Sequence, residues 1–384
     1  SYNISDRLGW TAPLSESGDQ SRIESFFLPR KLQWQPAWEI IKTTPIIGTG
    51  IGTYYIVSPS YKIVGDVDTG YFVHNDFLQF WVEIGLVGLS LMLLLMLAVS
   101  MQFVRLLRNK TLQLVDRLEA IGLIAGLGAI AMHTFVDFHF YIIAILMVLG
   151  FACARLQIIC NKYYPVLFRS FIPYKITQKY FFVLAAFIVP ILSINYIVPV
   201  ALADFYWRKA KEQIQSGKIK QGDITLEFGA KWNPDNFRIH YQRFLVYRDA
   251  LKMTKVNGSP SERDALFADA LLHLNIIENI NPLMGIVPES RGNLFIENLD
   301  IPVDNREEKA IAEFNKALQL DPKLYRSRSA LARLFEEKGD LNKALLLMND
   351  GVKYYYSVYM TGLEKFYQYA VNLNLMKGDT VKAK

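Results

Sequence analysis

The stretch from Ile84 to Val104 runs 21 residues without a charge. As a helix rising about 1.5 Å per residue it covers about 31 Å, enough to cross the hydrocarbon core of a bilayer. Three more apolar segments follow, roughly Ala120 to Val136, Tyr141 to Gln157 and Tyr180 to Val200. Only Asp137-Phe138-His139-Phe140 separates the second from the third, which predicts a tight hairpin. Four membrane helices are the most economical reading. From residue 205 onward the chain becomes polar and charged with helical periodicity. The overall 52% hydrophobic and 20% charged residues therefore average two unlike parts. The expected domains are a loop region at 1–80, a membrane domain at 81–200 and a soluble helical domain at 205–384.

Basic residues in the short loops set the orientation. Arg105, Arg108, Lys110 and Arg117 follow the first span. Arg155, Lys162, Arg169, Lys175 and Lys179 follow the third, with no acid among them after Arg155. Both loops are expected to be cytoplasmic. Residues 1–80, the 137–140 tip and everything after Pro199 then share the outer side. Cys153 and Cys160, about 10 Å apart along one helix, are too distant for a disulfide and read as apolar packing residues. The chain starts at Ser1 without a basic leader. That start, and the need of a donor site for more than four enclosing helices, leads to the expectation of further membrane helices upstream.

The polar part carries a repeat of about 34 residues. In "KAIAEFNKALQLDPKLYRSRSALARLFEEKGDLNKALLLMNDGVKYY", Ala310, Phe314, Ala317 and Pro322 fit the second helix of a tetratricopeptide (TPR) unit. Leu331, Ala332, Phe335, Gly339 and Ala344 fit the next unit. Small residues let two helices approach while the aromatic fills the space between them. An earlier unit ends at Pro234, and residues 255–305 read as an insertion that breaks the register. Stacked helix pairs of this kind form concave surfaces that bind proteins or act as packed spacers. Tyr354, Tyr355, Tyr356 and Tyr359 read as core rather than as a sugar-stacking run.

At the mouth of the first span lies "YFVHNDFLQFWVEIGLVGL". Continued as a helix, it would place His74, Leu78, Trp81, Gly85 and Gly88 on one face, with Asn75, Gln79 and Glu83 beside them. Glycines at such a position admit a closely packed neighbouring helix. A polar stripe at the membrane boundary is costly unless it faces a cavity or a partner.

His-Asn, nine residues, then Gly-x-x-Gly resembles the signature of the O-antigen ligase and O-antigen polymerase family, here at His74, Asn75, Gly85 and Gly88. "RKLQWQPAWEIIKTTPIIGTGIGTYY", with Arg30, Trp34, Pro45, Gly48, Gly50 and Gly52, is similar to that family's upstream pattern. "HTFVDFHF" looks like the His-x-x-x-Asp-Phe element of relatives that carry C-terminal tetratricopeptide repeats. The resemblance covers about residues 22–160 by motif. It implies an all-α chain: polytopic helices of a GT-C-like glycosyltransferase in the bacterial inner membrane, followed by a soluble TPR-like domain facing the periplasm. It also implies transfer of a glycan from a polyprenyl diphosphate carrier to lipid A core, a glycan or a protein, with the motif histidine as base and loop arginines on the diphosphate.

The chemistry suits these residues. A departing diphosphate needs its charge stabilised, and the guanidinium of Arg30 supplies a permanent planar charge without a metal. An acceptor hydroxyl needs a base that is neutral near pH 7, which an imidazole with its ordinary pKa of about 6.5 provides. His74 is thus the expected general base and Arg30 the diphosphate clamp, with Arg22, Lys31 and Lys42 in reserve. In-line attack would invert the anomeric centre. His133 and Asp137, one turn apart, are expected to pair as a clamp on the hairpin or a substrate contact.

Other signals carry less. "GTGIG" at 48–52 lacks the setting of a phosphate loop and reads as a turn whose amides could still meet a phosphate. Asp66 and Asp68, with Asp76 nearby, could hold a divalent ion, but the Gly-flanked loop is unlike the sheet enzymes that use such a pair. No cofactor, metal or nucleic-acid partner is expected. A reading from another class is a non-catalytic membrane scaffold whose repeats recruit a protein partner. Few charges within the spans argue against a transporter.

Overall fold

The computed structural model describes residues 18–64, 71–164, 176–354, 356 and 362–378, and all regular elements among them are helical. The chain divides into two compact units, residues 1–167 with 353–357 and residues 168–352 with 358–384.

The first unit contains α1 (Gly18–Thr43), α2 (Tyr54–Val57), α3 (Asp76–Leu107), α4 (Leu114–His133) and α5 (Ile143–Tyr163). Asn75 starts α3 as its N-cap, its side chain accepting the Leu78 amide at 3.0 Å, which satisfies one of the orphan donors of a helix start. α3 and α5 are long and apolar enough to cross a membrane, and only 11% and 17% of their apolar windows are buried. Leu91, Leu94, Leu95, Met147 and Phe151 point outward. A core helix of a soluble protein would hide such side chains; a lipid-facing helix displays them.

α4 departs from the expected span. Asp116, Arg117 and Glu119 occupy its first turns and it ends at His133, leaving a shorter apolar stretch than Ala120–Val136. The connection to α5 covers residues 134–142, not a four-residue tip. The reason lies in α3. The Thr134 carbonyl accepts the Asp76 amide at 2.9 Å, and Asp76 Oδ2 accepts the amides of His139 at 2.7 Å and Phe140 at 3.2 Å. Backbone groups committed this way cannot extend a helix. At the other end of the unit, Leu106, Leu112, Ala120, Leu156, Ile159 and Cys160 form a small core. Arg155 grips Glu119 with two donors, and Lys162 reaches Asp116 at 2.7 Å. Cys160 is buried, Cys153 only half-buried, and both are free thiols.

In the second unit, α6 (Ile176–Gln215) runs unbroken through residues 200–205. The change in composition there falls inside a helix, so no linker marks it. α6 packs on α7 (Ile219–Trp232), α8 (Phe237–Met253) on α9 (Pro260–Ile280), α10 (Ile286–Glu297) on α11 (Arg306–Leu320), and α12 (Tyr325–Glu337) on α13 (Leu341–Gly351), with α14 (Leu363–Met376) closing the series. Ala310, Phe314, Ala317, Leu331, Ala332 and Ala344 are fully buried, while Phe335 is half-buried. Phe314 lies so close to Gly292 that a Cβ there would meet its ring at 2.8 Å. The stretch that reads as an insertion is filled by α9 and α10, which continue the helix-pair pattern. Tyr356 is buried; Tyr355 and Tyr359 lie outside the described residues.

Candidate active site at the start of α3

Three segments meet at the start of α3: the turn after α1, the first turns of α3 itself and the 134–142 connection. Glu83 joins them. Its buried carboxylate accepts the Gly52 amide at 2.7 Å, the Tyr54 amide at 3.3 Å, the Gln79 side chain at 3.3 Å and the Tyr141 hydroxyl at 2.6 Å. Gln79, also buried, accepts the Val73 amide at 3.1 Å. A buried carboxylate persists only when its lone pairs are met in this way.

The spacing of "GTGIG" follows from the same contact. Gly48, Gly50 and Gly52 all have positive φ, and the turn presents amides to one carboxylate as an anion nest would. Thr49 and Gly50 amides bond the carbonyls of Val82 and Glu83, each at 2.8 Å. The anion this turn holds is the protein's own Glu83, which removes the expectation that its amides are left to meet a phosphate.

Gly85 breaks α3, with φ 66° and ψ −174°. Leu86 and Val87 donate instead to Pro45 at 2.9 Å and Ile46 at 3.2 Å, and a Cβ on Gly85 would lie 2.1 Å from the Ile46 carbonyl oxygen. So this glycine admits the turn at 45–47 rather than a neighbouring helix. Gly88 differs: its nearest atoms are those of its own Ile84 side chain. The expected face through His74, Leu78, Trp81, Gly85 and Gly88 is not continuous, because α3 begins at Asp76 and changes course at Gly85.

His74 precedes the helix in the left-handed region, φ 55°, a conformation uncommon for a residue with a Cβ and enriched where function holds it. Its Nδ1 stands 3.4 Å from Asp137 Oδ1, and its ring meets Phe138 edge-on with centroids 5.1 Å apart. Phe72 stacks on Phe138 at 4.2 Å and Phe77 on Phe135 at 4.3 Å, fixing the connection against α3. Partial burial pushes the Asp137 pKa up, but hydrogen bonds from the Phe138 amide and His74, with the charge of Arg30, together hold it below the usual carboxylate range.

The expected pairing of His133 with Asp137 is therefore replaced. Asp137 faces His74, and His133 stands edge-on to His139 with ring centroids 4.5 Å apart. Sequence spacing favours the neighbour one turn away; the early end of α4 turns Asp137 toward a residue 63 positions upstream. Arg30 lies on α1 rather than in a loop, its guanidinium donating to Gln33 at 3.2 Å, close enough to Asp137 to favour its ionised form. Asp76 serves backbone amides as described. Asp66 and Asp68 lie outside the described residues, and the described residues contain no cluster fit for a metal.

Residues 12–93 match the O-antigen ligase family. The matched stretch includes Arg30, His74, Asn75, Gln79, Glu83, Gly85 and Gly88, and ends before Asp137. O-antigen ligases are bacterial membrane proteins, so the match supports a role in membrane glycan ligation in general terms. No curated protein matches the chain. Solved structures resemble it loosely. A thermophilic TPR protein of Thermus thermophilus shares 16% identity at TM-score 0.36, covering 67% of this chain and 99% of its own. MamA shares 15% at 0.33, covering 47% and 86%. PilW, a type IV pilus biogenesis factor, shares 17% at 0.34, covering 47% and 73%.

Proposed function

We propose that this protein moves a glycan from a polyprenyl diphosphate carrier to an acceptor hydroxyl, with His74 as general base and Arg30 as diphosphate clamp. The observation that carries the proposal is the approach of His74 to Asp137 beside Arg30, at the start of an apolar helix in the O-antigen ligase-like stretch. Asp137, ionised, takes the Nδ1–H of His74 and leaves Nε2 as the nitrogen that accepts the acceptor's proton. It also stabilises the imidazolium that forms, the role an orienting carboxylate plays beside a catalytic histidine. The diphosphate leaves with its charge opposed by the guanidinium of Arg30. Direct displacement inverts the anomeric carbon and needs no metal. Asn75, Gln79 and Glu83 set the backbone that holds His74.

In this reading α3, α4, α5 and the apolar part of α6 are four spans of the inner membrane. The His74 site and the helix-pair unit then lie on the periplasmic side, where the carrier's head group reaches the membrane surface while its tail stays in lipid. Lipid A core, a growing glycan and a protein hydroxyl are the candidate acceptors. The glycan profile of a deletion strain separates them. Loss of a ligase strands long polymers on the carrier, loss of a polymerase leaves single units attached, and loss of a protein glycosyltransferase leaves both patterns intact. A wild-type profile for surface polysaccharide and glycoprotein alike would refute the proposal.

One observation favours a second reading, a scaffold acting through its repeats. A groove of about 640 Å³ in the second unit is lined by Arg306, Arg326, Arg333 and Lys365, while two of its acids, Glu297 and Glu307, are already paired with Lys252 and Lys338. If this groove alone carries function, changing its cations abolishes activity and His74→Ala does not.

A further inference from the structure

We infer that the far end of α3 carries a binding site for an anionic phospholipid, separate from the His74 site. Leu97, Met101, Val104, Arg105 and Arg108 of α3 and Tyr164 after α5 line a cavity of about 480 Å³. Positions 97, 101, 104 and 108 follow the three-and-four spacing of one helix face, so the wall changes along its length from apolar to cationic. Leu97, Met101 and Val104 are all exposed. The Tyr164 hydroxyl donates to the Arg105 carbonyl at 3.0 Å, and the Arg105 guanidinium lies 4.5 Å from the Tyr164 ring centroid. One cation is thus held in place by an aromatic face that leaves its charge unneutralised.

The surroundings sharpen the contrast. Arg155 and Lys162, at the same end of the unit, are ion-paired with Glu119 and Asp116. Among the described residues, Arg105 and Arg108 meet no carboxylate. Two uncompensated guanidiniums at the end of an apolar stripe match a phosphate head group with its acyl chain lying along Leu97 and Met101. A zwitterionic lipid would bring a cation toward the same arginines. Gly85, where α3 breaks, and Arg105 are 20 residues apart, about 30 Å of unbroken helix, so this lipid does not compete for the His74 end. The inference rests on the membrane reading of α3 and not on the transfer reaction.

The test is native mass spectrometry of the full chain released from nanodiscs of equal parts phosphatidylglycerol and phosphatidylcholine. Wild type should retain one phosphatidylglycerol in roughly thirtyfold preference, the size expected for two basic residues. R105Q/R108Q should abolish the preference, K110Q should leave it intact, and inorganic phosphate should not displace the lipid. Equal retention of both lipids, an unchanged preference in R105Q/R108Q, or displacement by phosphate would each overturn the inference. If the double variant is not monodisperse, R108Q alone, which keeps the Arg105–Tyr164 contact, should lower the preference about fivefold. H74A should retain lipid as wild type does, so loss of transfer and loss of lipid are read independently.

Discussion

At the scale of single residues, the site depends on one carboxylate that carries no chemistry. Glu83 ties the glycine turn, Gln79 and Tyr141 together, and the turn's shape follows from that bond. Tyr141→Phe removes one charge-assisted donor and should cost about 1–3 kcal/mol, read as a lower melting temperature in detergent. Asp137→Asn leaves the fold in place but removes the group that favours the imidazolium. Transfer should then fall roughly tenfold to a hundredfold, with most of the loss in kcat. An unchanged kcat would assign Asp137 to the hairpin alone. Arg30 and His74 were legible as separate candidates in the sequence. Asp137 was legible too, but as the partner of His133. That it is the common neighbour of His74 and Arg30 was not, because helical spacing points it to His133 and the backbone commitments of Asp76 turn it away. Glu83 was visible as part of a polar stripe, but nothing local in the sequence reveals that a glycine turn 31 residues upstream closes on it.

At the scale of elements, the two glycines of the motif do different jobs. Gly85 has a left-handed backbone and a backbone oxygen where its Cβ would go, whereas Gly88 is helical and a Cβ there would meet the Ile84 side chain, its Cβ included, at 2.5–2.6 Å. Gly85→Ala, strained in backbone as well as crowded, should destabilise by about 2–4 kcal/mol and Gly88→Ala, crowded only, by less, about 1–3 kcal/mol, compared by thermal unfolding in the same detergent. Equal effects would contradict the docking of residues 45–47 on the broken helix. Apolar run length located the helices well, since α3 and α5 fall where they were expected. It located the ends poorly. α4 stops at His133 where the Thr134 carbonyl and, further on, the His139 and Phe140 amides turn to Asp76, a tertiary demand that hydropathy does not record.

At the scale of the whole molecule, the helix-pair unit was readable from small and aromatic residues at fixed offsets. The pairs through α9 and α10 lack those offsets, which is why they read as an insertion. This unit also contains a buried histidine pair. His240 Nε2 donates to the Pro234 carbonyl at 2.8 Å, leaving its Nδ1 to accept from His273 Nδ1 at 3.2 Å. Burial, helped by the Arg243 charge, lowers the His273 pKa to about 4, and burial lowers that of His240 as well. His273 is therefore neutral at pH 6.5 when folded but takes up a proton near that pH when unfolded, and His240 shifts in the same direction. The His273 contribution is complete above pH 6.5 and is lost as the pH falls toward 4, on the order of 3 kcal/mol. Urea unfolding of the full chain followed by circular dichroism should show this loss, and His273→Gln should flatten it; an unchanged slope in that variant would rule the pair out as its source.

The decisive measurement is turnover with a purified polyprenyl diphosphate glycan and acceptor, comparing wild type, His74→Ala and Arg30→Ala in the presence of a chelator. A base at His74 and a clamp at Arg30 predict full wild-type turnover without free metal and a loss of roughly 10²–10⁴-fold for His74→Ala. Arg30→Ala should lose a comparable amount, with both variants still folded in the membrane. Turnover within a few-fold of wild type in His74→Ala would contradict the assignment.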